Sequence, residues 1–164
     1  MRTIVGVMGS GENGDDALLT LARELGAAIA REGWVLLNGG RDRGVMDASA
    51  EGASLAGGLV VGVLPDDHTR GASRHLDVAV RTGMGDARNA INVLSSDVVI
   101  ALAGGAGTLS EIALALKAGR DVIALDFDPG EGFARYRDTE QLRFAASVSD
   151  AVVMTRRILE RRRR

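Results

Sequence analysis

The residues of this chain best suited to chemistry are one arginine, one glutamate and a set of glycines that follow short apolar runs. The clearest group is Ala103-Gly104-Gly105-Ala106-Gly107-Thr108-Leu109-Ser110-Glu111, placed directly after the apolar residues 98–102. Its glycines let backbone amides converge on an anion at the start of a helix. Thr108 either caps that helix or bonds a phosphate oxygen. Glu111, three residues on, either completes a capping box with Thr108 or grips ribose hydroxyls beside a phosphate loop. The lysine of a Walker loop is missing, since Lys117, the chain's one lysine, stands ten residues beyond Gly107, so ATP hydrolysis by that route is excluded.

A second group, Gly83-Met84-Gly85-Asp86-Ala87-Arg88-Asn89, brings Arg88 to the start of another helix. A guanidinium there supplies fixed charge for phosphate recognition; the competing assignment is a surface ion pair with Asp86 or a neighbouring helix. Arg41 and Arg43, after Gly39-Gly40, are weaker versions of the same idea. The first loop, Gly9-Ser10-Gly11-Glu12-Asn13-Gly14, has the G-x-G-x-x-G spacing of dinucleotide sites. NAD is not expected, because Asp15 and Asp16 put carboxylates where pyrophosphate would sit and the second strand ends in Asn38 without an acidic ribose partner. One of the two aspartates reads more simply as a helix N-cap. His68 and His75 share a polar loop without helical spacing, so solvent exposure is the expectation and no metal site is assigned. Met8, Met46 and Met84 lie near loop edges, suited to core filling or to lining a ligand shelf.

These residues need elements to hold them. Apolar, β-branched runs at 3–8, 35–38, 59–64, 77–80, 98–102 and 122–125 are mostly continuous, as in strands covered on both faces. Helical spacing separates them: Leu18, Leu21, Leu25 and Ile29 form one stripe, Ile112, Ala115 and Leu116 part of another. A last helix is expected from Asp150, itself the cap after Ser149, through Val153, Ile158 and Leu159. Residues 126–141 show neither period and read as a surface loop, either irregular throughout or with a short helical turn. Strand and helix alternate, so the expected fold is one doubly wound, Rossmann-like α/β domain over residues 1–164, a mostly parallel sheet of six or seven strands with helices on both faces. In such a sheet ligands bind beyond the carboxyl ends of the strands. Twelve of the 22 glycines fall there: Gly9, Gly11, Gly14, Gly39, Gly40, Gly44, Gly71, Gly83, Gly85, Gly104, Gly105 and Gly107.

Composition sets the outer limits. The chain has 164 residues, 46% hydrophobic and 26% charged, no cysteine, and only three Phe, one Tyr and one Trp. Without cysteine there is no disulfide, thiolate metal site or cysteine nucleophile. Nothing resembles a signal peptide or a membrane span, so a cytoplasmic protein is expected, with no membrane partner. The net charge of −2 divides into +5 over residues 156–164 and −7 over the rest. The acidic body is not that of a nucleic-acid binder, and the Arg161 to Arg164 run reads as a frayed, solvated helix end or tail.

At its paired fourth and fifth loops, and from Gly9-Ser10-Gly11 through residues 38–48, the sequence resembles the family long mislabelled as lysine decarboxylases. That family includes the cytokinin-activating LOG phosphoribohydrolases and the molybdenum cofactor carrier proteins. The LOG pattern P-G-G-x-G-T-x-x-E is matched except that Ala103 replaces proline. Of M-x-x-R-K, Arg88 falls on the arginine, Asn89 stands in place of lysine, and Met84 is one residue out of register. For a LOG-like enzyme the resemblance implies Arg88 and Glu111 as the pair that cleaves the N-glycosidic bond of a nucleoside 5′-monophosphate. The run Ala-Arg-Asn after Gly83-Met84-Gly85 looks closer to the carrier branch, which implies retention of a phosphorylated pterin, the molybdenum cofactor (molybdopterin), without turnover. Either way the implied contacts are Gly9, Ser10, Gly11, Gly39, Gly40, Arg88, Asn89, Gly104, Gly105, Ala106, Gly107, Thr108 and Glu111. The resemblance also implies a homodimer or homotetramer, with alanine-rich residues 48–56 and 113–118 offering close-packing surfaces.

Overall fold

In the computed structural model, residues 1–12 and 15–162 are described. Seven strands form one sheet: β1 (Ile4–Met8), β2 (Val35–Asn38), β3 (Val60–Leu64), β4 (Val78–Arg81), β5 (Val98–Ala101), β6 (Asp121–Leu125) and β7 (Leu142–Ala145). Their order is β4-β3-β2-β1-β5-β6-β7, and every pairing is parallel. The order reverses between β1 and β5, which places the switch-point crevice of a doubly wound sheet above those two strands.

Two apolar layers cover the sheet. On one face α1 (Asp16–Arg31), α2 (Gly44–Leu55) and α6 (Val148–Arg162) bury Leu25, Ile29, Val45, Ala53 and Ile158 against Val5, Leu36 and Ile100. On the other, α3 (Arg88–Leu94), α4 (Ala106–Lys117) and α5 (Ala134–Asp138) set Val93, Ile112, Leu116 and Tyr136 against Met8, Leu37 and Val99. The central strands β2 and β5 are buried along their whole length, which is why they read as continuous apolar runs. β4 is not covered in that way: Val78 and Val80 stay exposed at the sheet edge.

Several expectations need correction. The aperiodic segment 126–141 does hold short helical structure, a 3-10 turn at Glu131–Phe133 and the five-residue α5, but it leads into β7, a strand absent from the six apolar runs. The last helix begins at Val148, not Asp150, because Ser147 is its cap: Ser147 Oγ accepts from the Asp150 backbone N–H at 3.1 Å and donates to Asp150 Oδ2 at 2.7 Å. Its arginine-rich end is tied down through Arg162, which donates to the Asp97 carbonyl at 2.6 Å and to Asp121 Oδ2 at 2.9 Å. Arg161 and Arg162 are exposed, as expected of a solvated end, but the helix is ordered rather than frayed as far as Arg162; Arg163 and Arg164 lie outside the described residues. The small residues of α2 are used within the chain: Ala48, Ala50 and Ala53 are buried, and a Cβ on Gly26 of α1 would overlap the Ser49 carbonyl. They serve the α1–α2 contact rather than a partner helix.

Candidate functional site

The carboxyl ends of β1, β2 and β5 release three glycine-bearing loops that are stitched together by backbone hydrogen bonds. Ser10 N–H donates to the Ala103 carbonyl at 3.1 Å and Val45 N–H donates to the Ser10 carbonyl at 2.9 Å. The first loop is thereby fixed against the fifth and against the start of α2. Of its G-x-G-x-x-G motif, Asn13 and Gly14 lie outside the described residues. Asp15 is the N-cap of α1, its Oδ1 accepting from Ala17 N–H at 2.5 Å.

Asn38 closes β2 from a fully buried position. Its Nδ2 donates to the Met46 carbonyl at 2.8 Å and to Ser49 Oγ at 3.1 Å, while Oδ1 accepts from Gly40 N–H at 2.8 Å. The asparagine read as a missing ribose partner is thus the pin of the second loop. Beside it, Gly39 has no room for a side chain, because a Cβ would overlap the Arg88 guanidinium and Met46 Sδ.

Arg88 opens α3 after a 3-10 turn at Gly85–Ala87. Its Nη1 donates to the carbonyls of Gly39 and Val63, each at 2.5 Å. The ion pair with Asp86 or a neighbouring helix is not formed; backbone carbonyls hold the group instead. Nε is buried without a partner. Burial pulls the Arg88 pKa below its ordinary value, and the nearby Glu111 charge opposes that. The arrangement leaves a pre-oriented cation with unused donor capacity, a good receiver for an anion.

The fifth loop completes the wall. Gly105 is the N-cap of α4, and neither Gly105 nor Gly107 has anything within 4 Å of where a Cβ would stand. Gly104 is crowded by contrast, its Cβ position overlapping Thr108 Oγ1 and the Ser10 nitrogen. Thr108 is buried inside α4 and makes no side-chain cap. Glu111 does not form the capping box either: it is 8% exposed and accepts at Oε1 from Asn92 Nδ2 at 2.8 Å. Burial pushes its pKa up to about 7, against the opposing effects of the Asn92 hydrogen bond and the Arg88 charge.

Together these residues line a cleft of about 320 Å³. Gly9, Ser10, Gly11, Gly39, Arg88, Asn89, Gly105, Gly107, Thr108 and Glu111 all reach it, as do Met8 and Met46. Gly40, Gly104 and Ala106 do not line it, and Met84 is exposed outside it. Asn89 turns to Ser110, donating from Nδ2 to Oγ at 3.1 Å. Arg41 is held by Asp66 at 2.7 Å, away from the cleft. His68 and His75 are half-buried rather than exposed. Glu12, Asp86 and Val7 join the wall without having been singled out from the sequence, and Asn92 stands behind it. Asn92 shares the face of Arg88, four residues earlier on α3, but that spacing alone does not separate it from solvated helix surface. Two roomier grooves, about 870 and 730 Å³, lie along α1, α2 and α6 and beside β7 and α6. Neither gathers bare glycine surface, a guanidinium fixed on backbone carbonyls and a buried carboxyl in one place, so the smaller cleft is the candidate site.

The chain is similar to several known proteins. It is 47% identical to the molybdenum cofactor binding protein from Rippkaea orientalis, with a TM-score of 0.92 over 97% of this chain and 98% of that one. It is 42% identical to the molybdenum cofactor carrier protein from Chlamydomonas reinhardtii, with a TM-score of 0.90 over 98% and 99%. It is also 41% identical over 97 residues to a cytokinin riboside 5′-monophosphate phosphoribohydrolase from Mycobacterium tuberculosis, a match covering 58% of this chain and 52% of that enzyme. The chain therefore spans about half the length of that curated relative. The sequence profile of the SLOG cluster4 family matches residues 2–153, and the chain belongs to that LOG-like family.

Proposed function

We propose that this chain carries a phosphorylated pterin, the molybdenum cofactor, gripping it by its phosphate in the switch-point cleft. One observation supports this above the others: Arg88 lines the cleft with its guanidinium fixed in place by Nη1 on two backbone carbonyls. Gly105 and Gly107 line the same cleft at the N-terminus of α4, with open space where a side chain would stand. The pair suits a phosphate, which takes both a charge-assisted contact and backbone donors. Among the described residues no Phe, Tyr or Trp lines the cleft, so the ring would rest on Met8, Met46 and backbone rather than on a stacking partner. The close likeness to two molybdenum cofactor proteins along the full chain supports the same ligand.

A second reading is favoured by Glu111, a buried carboxyl on the same cleft as Arg88. In a LOG-like phosphoribohydrolase that carboxyl would orient the ribose of a nucleoside 5′-monophosphate and stabilise oxocarbenium-like charge as the N-glycosidic bond breaks. The carrier works in the cytoplasm, as a homodimer or homotetramer, with a small molecule rather than nucleic acid as its ligand. Incubating purified protein with AMP and, separately, with molybdenum cofactor tests the two readings. The carrier reading expects cofactor retained through gel filtration and no free adenine. Adenine released by the protein and lost in Glu111→Gln would overturn it in favour of the enzyme.

A further inference from the structure

We propose that Asn92 is the positioning residue of the cleft: its amide holds Oε1 of Glu111, so that it decides which carboxyl oxygen is offered to the ligand and how readily that carboxyl keeps its proton. The inference deepens the reading of the cleft as an anion site and rests on it for its meaning, though not for its first test.

Asn92 has no exposed surface. Its Nδ2 donates to Glu111 Oε1 at 2.8 Å, and its Oδ1 is buried without a partner. A buried amide with an unmet acceptor is a poor choice for a core position, where a leucine of similar volume would leave nothing unsatisfied. The single hydrogen bond its side chain does make is the one to Glu111. The residue's own backbone is held separately, by Ser96 Oγ donating to the Asn92 carbonyl at 2.7 Å, so the side chain is free for the carboxyl. Glu111 has no other side-chain partner among the described residues, which leaves Oε2 to the cleft.

The charged groups on the wall are Glu12 from the first loop, Asp86 from the turn before α3, Arg88 from α3 and Glu111 itself from α4; β1 contributes Val7 and Met8, and α2 contributes Met46. A donor at Oε1 favours the ionised carboxyl, whereas burial favours the neutral one. Removing the donor leaves burial opposed only by Arg88, so the carboxyl should hold its proton to higher pH.

Two variants, Asn92→Leu and Asn92→Ser, make the test robust to a packing failure in either. The first measurement is the carbon-detected NMR titration of the Glu111 carboxyl in ligand-free protein. The second is sulfate affinity on both sides of neutrality, sulfate being a phosphate mimic with no titration of its own there. The expected result is a titration midpoint raised by about one pH unit in both variants, with the pH dependence of sulfate binding moving by the same amount. An unchanged midpoint overturns the proposal and leaves Asn92 as core filling. A raised midpoint with no sulfate binding by any form upholds the role of Asn92 and overturns the anion reading of the cleft.

Discussion

A carboxyl that is 8% exposed with one side-chain donor is costly to keep charged, and the cost can be read from pH. Glu111 titrates near 7 in the folded chain against an ordinary value of 4.5. Between those values the folded state binds more protons than the unfolded one, so stability falls as pH rises from about 4.5 to about 7 and is level beyond. At 1.36 kcal/mol per pH unit the loss has an upper figure of about 3 kcal/mol. Glu111→Gln, which keeps the shape and removes the charge, is expected to raise unfolding stability at pH 8 by about 2 kcal/mol and to change it little at pH 5. Urea titrations at the two pH values check this; an equal effect at both would show that the carboxyl carries no burial penalty. Arg88 acts in the opposite sense, being held for a partner. Arg88→Ala should weaken binding of a phosphorylated ligand by about 2 kcal/mol or more in calorimetry, as loss of a charge-assisted contact implies.

At the level of elements, the glycines of one loop divide into two kinds, and substitutions should separate them. A Cβ on Gly104 would overlap Thr108 and the Ser10 nitrogen, so Gly104→Ala should lower stability by about 1–3 kcal/mol by forcing the first and fifth loops apart. Gly107 lies within α4 facing open space. There alanine is the better helix former by up to about 1 kcal/mol, so Gly107→Ala should hold or raise the melting temperature while lowering ligand affinity. Melting curves and calorimetry on the two variants decide the matter; falling stability in Gly107→Ala would remove the argument that its bare surface is reserved for a ligand. The sequence could not make this division, because a glycine before a helix looks the same whether it accommodates a ligand or the chain itself. Arg88 and Glu111 were legible, since a charged residue behind a glycine turn has a fixed place at the strand ends. Asn92 was not, because an asparagine on an amphipathic helix reads as solvated surface until the facing carboxyl of α4 is known. β7 escaped for a related reason: of its four residues, Leu142–Ala145, only the first and last are buried at this sheet edge and Arg143 interrupts them, which gives no continuous apolar run.

Across the whole molecule, the strand order places the cleft between the two halves of the sheet, and the helices that carry Arg88 and Glu111 also carry three exposed leucines. Leu94 of α3 is 54% exposed, and Leu109 and Leu114 of α4 are each 36% exposed. Leucines left open on the pair of helices that bear Arg88 and Glu111 are what a self-association surface would use, whereas the small residues of α2 are consumed within the chain. Association through α3 and α4 would also stiffen the two elements whose relative position sets the distance between guanidinium and carboxyl. Light scattering is therefore expected to give twice or four times the 17.1 kDa chain mass. Leu109→Glu combined with Leu114→Glu should reduce it toward one chain, since burying two carboxylates at an apolar contact is strongly unfavourable. Because Leu109 and Leu114 do not line the cleft, the monomeric variant should lose phosphate-ligand affinity only if packing of the partner holds α3 and α4 in place. A clean monomer for the unmodified chain would mean that these leucines are simply exposed and that each cleft is complete within one chain.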